Sequence, residues 1–475
     1  MNKHIAKIGL FGIGLEAYWS QFDGLKERLN GYLDIVAKQI QDKGASLVNL
    51  GLVDNIDKAF DAGDRLKQED VDLVFLYVST YALSATVLPV VRKAGVPVIV
   101  LNLAPEARID YKWFNNLNDR TKMTGEWLAY CAACPVPEIA NVFRRSGIPF
   151  HQVTGVLQGD DSVWIEIDEW IAAAQVSRTL HYNRLGLMGN YYGGMMDIYT
   201  DLTAVCATFG GHMDIVEVDH LTALRQTVTG EETQNKIKEI HQTFDVQPDC
   251  SAEELTRAAK TAVALDKLIN EYKLGSLAYY YKGTGNENED TMSSVILGNS
   301  LLTSRNISVA GEYEVKNVVA MKIMDMLGAG GSFTEYYAMD FVDDVVLMGH
   351  DGPCHPQMAE GKIKVKPLRV YHGKVGSGLS VEMSVKHGDV TLLSVIEDGN
   401  GRMKFLVAEG QSVAGDILEI GNTNSRYKFP IGAKPFTDNW NQHGPAHHCA
   451  VGLGHIGTKL KKLAAILKID IIQVC

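Results

Sequence analysis

The runs Ile8-Gly-Leu-Phe11, Leu47-Val-Asn-Leu50, Leu73-Val-Phe-Leu-Tyr-Val78 and Val98-Ile-Val-Leu101 decide the fold of the first part of the chain. Each is a compact apolar stretch of strand length. Between the first two, Leu25, Leu29, Tyr32, Leu33, Val36 and Ile40 recur at the spacing of a helix with one buried face. Strand and helix alternating in this way predict a parallel sheet covered by helices. In such sheets ligands sit beyond the carboxyl ends of the strands. Gly12–Trp19, Ser79–Tyr81 and Asn102–Glu106 therefore fall on one candidate rim.

A second series of the same kind begins at Leu185–Met188, whose strand runs into the glycine-rich loop Gly189-Asn-Tyr-Tyr-Gly-Gly194. Strands are expected at Ile215–Val218 and Leu277–Tyr281, and helices over Thr291–Leu301 and Tyr313–Leu327. Ser251-Ala-Glu-Glu254 has the form of a helix-capping box. After Gly328-Ala-Gly-Gly331 the pattern changes. From Lys362 to Pro430 apolar and polar residues alternate, with turn signals at His387-Gly-Asp389 and Asp398-Gly-Asn-Gly401. The chain of 475 residues, at about 150 per domain, has room for three domains. The expected architecture is α/β: two doubly wound α/β domains, 1–175 and 176–327, followed by a domain at 328–475 with an antiparallel β-barrel.

Composition narrows the function. Hydrophobic residues are 46% and charged residues 21%, which suits several packed cores rather than disorder. The net charge is −12, and the longest basic run is Lys459-Leu-Lys-Lys462, so neither nucleic acid nor an anionic membrane is an expected partner. No stretch approaches the ~20 apolar residues of a membrane helix. The first residues mimic a short signal peptide, but Glu16 interrupts them and no small-x-small cleavage site follows. Seven scattered cysteines fit a reducing, cytoplasmic setting rather than a disulfide scaffold. Cys131-Ala-Ala-Cys134 is a lone C-x-x-C, which needs further context before it reads as a zinc or redox site.

Two sets of residues are candidates for chemistry. Gly9-Leu-Phe-Gly12-Ile-Gly14 follows the first strand, as a dinucleotide-binding loop would. Its spacing is not that of the usual fingerprint, and a tight strand-to-helix turn is the alternative. The second set is Glu312, Glu335, His350, His447 and His448. Glu312 lies at a loop-to-helix junction, Glu335 on an apolar strand, His350 at the end of an apolar run, and the two adjacent histidines just before an expected helix. A glutamate at a helix start commonly just complements the dipole, and a histidine pair in a loop is commonly solvent-facing. A carboxylate among apolar strand neighbours is harder to explain without a partner. Together, mixed carboxylate and imidazole donors suit Mn²⁺ or a similar divalent ion. Long gaps separate them, so spacing alone does not join them.

The strings Ala310-Gly-Glu312-Tyr, Gly331-Ser-Phe-Thr-Glu335-Tyr-Tyr, Val346-Leu-Met-Gly-His350 and Gly444-Pro-Ala-His-His448, in that order, resemble the L-arabinose isomerase family. The resemblance implies a metal-dependent aldose–ketose isomerase. Glu312, Glu335, His350 and His448 would hold a manganese-type ion, Glu312 and Glu335 would serve as the acid–base pair, and His447 would line the substrate pocket. It also implies α/β, α/β and barrel-containing domains, and a homo-oligomer of three or six chains. The proton transfer would pass through an enediol, with a hydride shift as the competing route.

The match departs from the family where the sugar is touched. Gly14-Leu-Glu16-Ala-Tyr18-Trp19 stands where the family has a Gly-Ser-Gln-His-Leu-Tyr pattern, and Cys134 aligns with a family histidine. Glu16, Tyr18 and Cys134, with His447 and with Tyr281 of Tyr279-Tyr-Tyr-Lys282, are the expected substrate contacts. Packing is the alternative reading for the tyrosines. The expected substrate is an L-arabinose-like pentose or hexose, with L-arabinose itself not the preferred one. Two rivals remain: a non-catalytic sugar-binding or sensor protein on the same scaffold, and a nucleotide-dependent oxidoreductase using the glycine loop.

Overall fold

A computed structural model describes residues 4–283, 285–368 and 377–475. It divides into two compact units, Asn2–Arg178 and Thr179–Cys475.

In the first unit five strands, β1 (Lys7–Ile13), β2 (Ser46–Val53), β3 (Leu73–Tyr77), β4 (Val98–Ala104) and β5 (Phe150–Val156), form a sheet in the order β2-β1-β3-β4-β5. All its pairings are parallel. Every residue of β3 is buried, as expected of a central strand covered on both faces. The helix Leu25–Asp42 buries Leu25, Leu29, Leu33, Val36 and Ile40 of the face read from the sequence and leaves Tyr32 half-buried. The strand order reverses direction at β1, so the crevice beyond β1 and β3 is the position where sheets of this order take ligands.

The glycines of the first loop serve packing. A Cβ on Gly14 would meet the Trp19 ring at 2.8 Å, and one on Gly12 would meet Leu52 at 2.8 Å. Trp19 in turn donates through Nε1 to Asp54 at 2.9 Å, and Asp54 pairs with Lys58 at 2.6 Å. An indole therefore fills the space beside Gly14, and this is the tight-turn reading of the loop.

The second unit opens with a parallel sheet ordered β10-β9-β6-β7, built from β6 (Arg184–Gly189), β7 (His212–Val216), β9 (Ser276–Tyr280) and β10 (Ser308–Ala310). A short strand, β8 (Asp245–Val246), joins instead to β13 (Lys364–Leu368), which pairs with β14 (Gly378–Glu382). The remaining strands are β11 (Ser332–Asp340), β12 (Val345–His350), β15 (Gly388–Glu397), β16 (Met403–Val413), β17 (Thr423–Lys428), β18 (His448–Leu453) and β19 (Asp470–Gln473). They form one sheet ordered β15-β18-β11-β12-β17-β16-β19, in which β15 also pairs with β16.

The sheet is antiparallel except at β19, which runs parallel to β16. The antiparallel β-barrel expected at 328–475 is found as a mixed, mainly antiparallel sheet, and β13 and β14 of the expected segment belong to a separate three-stranded sheet with β8. The helix Gly457–Leu467 precedes β19 and supplies the crossover that a parallel neighbour requires.

The helix Val315–Met326 is buried along almost its whole length, including Lys316, Asn317, Lys322 and Asp325. Its charged groups find partners, while the Asn317 amide is buried without a hydrogen bond. Lys322 donates to the carbonyls of Gly275 at 3.1 Å and Asn306 at 2.7 Å. Asp325 accepts from Ser308 at 2.6 Å and pairs with His355 at 2.8 Å, with both members of that pair 1% exposed. This network fixes the helix against the parallel sheet, directly behind the Glu312 loop.

Candidate metal centre

Glu312 lies two residues past the end of β10 and ahead of the helix Val315–Met326. Its backbone φ is +57°, and that of Tyr313 is +66°. Two consecutive non-glycine residues in the left-handed region are costly unless the surroundings enforce them. Here the Tyr313 amide donates to the Tyr279 carbonyl at 3.0 Å, the Tyr192 amide donates to the Glu312 carbonyl at 3.4 Å, and the Glu314 amide donates to the Gly311 carbonyl at 3.0 Å. The ends of β6 and β9 thus hold the loop so that the Glu312 carboxylate projects from it.

The mixed sheet brings the other members together by register. Glu335 on β11 pairs directly with His448 on β18 and with Gly349 on β12. Directly opposed residues on neighbouring strands share a face, with Cβ atoms ~5 Å apart. Antiparallel pairing therefore closes the long sequence gap between Glu335 and His448. His448 opens a strand, rather than sitting just before a helix as the sequence suggested. The apolar run Cys449-Ala-Val-Gly-Leu453 pairs on both sides, with β11 and β15, and the helix starts only at Gly457. Phe333, two residues before Glu335 on the same face, packs its ring against His350 at 4.5 Å and His448 at 4.3 Å between centroids.

Five side chains converge. The His448 Nε2 lies 3.5 Å from one Glu312 oxygen and the His447 Nε2 3.8 Å from the same oxygen, while the His350 Nε2 lies 4.0 Å from the other. Donor atoms of Glu312, His447 and His448 all lie within 4.8 Å of one another, and so do those of Glu335, His350 and His448. Tyr281 lines the same cavity as Glu312 and His350, together with Tyr279, Tyr280 and Asp351. Its hydroxyl donates to Asn286 at 3.3 Å.

Glu16, Tyr18 and Cys134 belong to the first unit. Glu16 is exposed and Tyr18 half-buried, in the short helical turn Glu16–Tyr18 after β1. The Tyr18 ring packs edge-on against Trp19 and Phe22. Cys134 is exposed and disulfide-bonded to Cys131.

Electrostatics separate the two adjacent histidines. Burial pushes His448 down to about 3, with the neighbouring His447 adding to the effect, and burial, followed by competition with the neighbouring His448 for a proton, lowers His350. Burial also opposes charge on His447. Hydrogen bonds to Glu312 and Asp197 outweigh it and raise His447 to about 9. Burial raises Glu335, countered in part by His350.

These donors fit a divalent cation. His350 and His448 are held neutral, the form that offers a lone pair to a metal. The Nε2 of His448 is buried without a hydrogen bond. Buried polar atoms are rarely left so without a reason, and an ion is one such reason. The donor set consists of carboxylates and imidazoles, a combination that divalent cations accept.

The sequence reading missed two carboxylates. Asp197 accepts from the His447 amide at 2.9 Å and bonds its Nδ1 at 2.5 Å. It lies 250 residues away, and no linear signal links the two. Glu314 is fully buried, its carboxylate 3.5 Å from the Nδ1 of His448, and burial raises it to about 8. Its place at the head of an apolar helical run was the available signal. Asp197 and Glu314 each sit on the Nδ1 side of a histidine, so each orients an Nε2 toward Glu312.

Among the described residues no helix is long and apolar enough to cross a membrane. None of the curated proteins compared with the chain matches it. The family model for the L-fucose isomerase C-terminal domain matches residues 351–474, a span that includes His447 and His448. That family belongs to the arabinose/fucose isomerase superfamily, and the match suggests a sugar isomerase, an intramolecular oxidoreductase of carbohydrate metabolism.

Proposed function

We propose that this chain is a metal-dependent aldose–ketose isomerase acting on a free, open-chain pentose or hexose, as a divergent relative of the L-arabinose isomerases. One observation carries the reading: donor atoms of Glu335, His350 and His448, from three strands, lie within 4.8 Å of one another, and Glu312 stands 3.5 Å from His448 and 4.0 Å from His350. In this reading those four residues hold one divalent ion, Mn²⁺ by donor chemistry. When bound, the ion supplies Lewis acidity toward the vicinal sugar oxygens.

The protein's own groups move the proton. Isomerisation takes a proton from carbon 2 and returns one to carbon 1, which calls for a base and an acid facing the same carbons. Glu312 and Glu335 are the only pair of carboxylates in the proposed cage. Burial holds the Glu335 carboxyl above its ordinary range, a shift of the kind found at carboxyls that exchange protons. His447, charged and held by Asp197, is placed to donate to the oxygen on which negative charge develops. Tyr281 lines the sugar side, and Glu16, Tyr18 and Cys134 are kept as proposed substrate contacts. The organisation in domains 1–175, 176–327 and 328–475, assembly into trimers or hexamers, and a cytoplasmic location complete the proposal.

The test is the purified, Mn²⁺-loaded protein incubated with a panel of aldoses including L-arabinose and L-fucose, with ketose formation as the readout. Turnover of at least one sugar, lost by about 10²–10⁴-fold in Glu335→Gln, is the expected result for removal of a general acid–base group. A folded, metal-loaded protein that turns over no aldose would instead fit a non-catalytic sugar binder.

A further inference from the structure

The Cys131-Ala-Ala-Cys134 motif supplies no proposed metal ligand, though Cys134 is a proposed substrate contact, and its two sulfurs are bonded, with the Cα atoms 5.8 Å apart. Cys131 is 4% exposed and ends the helix Arg120–Tyr130. Cys134 is exposed and stands just ahead of the helix Val136–Arg145. The pair therefore spans a tight connection between two helices, one sulfur accessible and one sheltered.

As a structural staple this bond would do little. The stabilisation from cross-linking grows with the length of the loop it closes, and this loop is among the shortest possible. The turn is also already closed by backbone bonds, from the Ala132 amide to the Tyr130 carbonyl at 2.8 Å and from the Val136 amide to the Ala133 carbonyl at 3.3 Å. Exchange chemistry, by contrast, needs one accessible sulfur and a second, sheltered one within reach to resolve the mixed species. The remaining cysteines offer poor competition. Cys354 and Cys449 are buried, Cys206, Cys250 and Cys475 are half-buried, and burial raises every one of their thiols above the usual range.

We infer that Cys131 and Cys134 form a reversible thiol–disulfide exchange site whose co-substrate is a low-molecular-weight disulfide of the glutathione type. In the oxidising direction the Cys134 thiolate attacks one sulfur of the small disulfide. A mixed disulfide forms and one small thiolate leaves. Cys131 then attacks the Cys134 sulfur and expels the second. Two electrons pass from the cysteine pair to the small disulfide, and the two cysteine protons end on the two released thiols. Reduction by excess small thiol runs the same steps backward. Thr80 donates its hydroxyl to the Leu128 carbonyl at 2.8 Å, which ties the helix end bearing Cys131 to the segment after β3.

The experiment equilibrates the full chain with buffers of varied reduced and oxidised glutathione, quenches with acid, alkylates free thiols and weighs the peptide carrying both cysteines. The expected result is a single two-electron transition between doubly alkylated and unalkylated peptide, while the other five cysteines stay alkylated. In Cys131→Ser, Cys134 captures one glutathione at least tenfold faster than any other cysteine. The inference is overturned if excess dithiothreitol leaves the bond intact in the folded protein. It is equally overturned if the pair oxidises only together with the other cysteines, or if Cys131→Ser is glutathionylated elsewhere first. None of these readouts depends on isomerase activity, so this inference and the proposed function stand or fall separately.

Discussion

His447 and His448 are neighbours in sequence, with ring centroids 3.8 Å apart, yet their surroundings drive them in opposite directions. His448 is fully buried and faces Glu314 through Nδ1, and it stays neutral. His447 is one-third exposed and carries Asp197 on its Nδ1, and it stays charged. The division of labour proposed here, one ligand and one donor, follows from those two partners. Asp197→Asn removes the charge that fixes the His447 ring. Losses of orienting partners of this kind run to about 10–100-fold, and the catalytic efficiency of the metal-loaded variant is expected to fall by that much. A change under threefold would contradict the orienting role.

The same pair sets a pH dependence of stability. The folded-state value of His447, about 9, lies above its ordinary 6.5. A raised value means that the protonated form is favoured by folding. The contribution is therefore complete below about pH 6.5 and is lost as pH rises through about 9. Urea unfolding of the metal-free protein and of His447→Gln is expected to show a stability gap at pH 6 that closes by pH 10. A gap that widens with pH would contradict the assigned charge.

At the scale of elements, the helix Val315–Met326 matters most, because the Glu312 loop is its leading end. Its buried Asp325–His355 pair is the clearest point at which to break it. Removing one member leaves the other buried and unpaired, so Asp325→Ala is expected to lower the unfolding free energy by about 3–5 kcal/mol, measured by denaturant titration. A cost below 1 kcal/mol would mean that the network is not what holds the loop. Much of this level was readable beforehand. The apolar runs of β1, β3 and β4 and the face of the helix Leu25–Asp42 fell where periodicity placed them. The helix expected over Thr291–Leu301 did not. It divides into Glu287–Met292 and Ile296–Thr303. Between the pieces, the Ser294 hydroxyl bonds back to the Asp290 and Thr291 carbonyls at 3.1 and 2.8 Å, and such side-chain bonds compete with continuation of a helix.

At the scale of the molecule, the site is a product of topology. The sequence could supply Glu312, Glu335, His350 and His448 as residue types, but bringing them together takes the register of β11 against β18 and β12, which no local pattern encodes. Asp197 and Glu314 escaped for the same reason, since their roles exist only once the parallel and mixed sheets of the second unit are packed. The resemblance that joined the four proposed ligands rested on short strings around them, and the matched family span begins only at residue 351.

The central claim is that those four side chains share one ion. Elemental analysis after Mn²⁺ loading and exhaustive dialysis, run on the wild-type chain and on a His350→Ala/His448→Ala variant shown to be folded, tests it directly. One manganese per chain in the wild type and almost none in the variant is the predicted result. No retained metal in the wild type, or equal retention in both proteins, would contradict it.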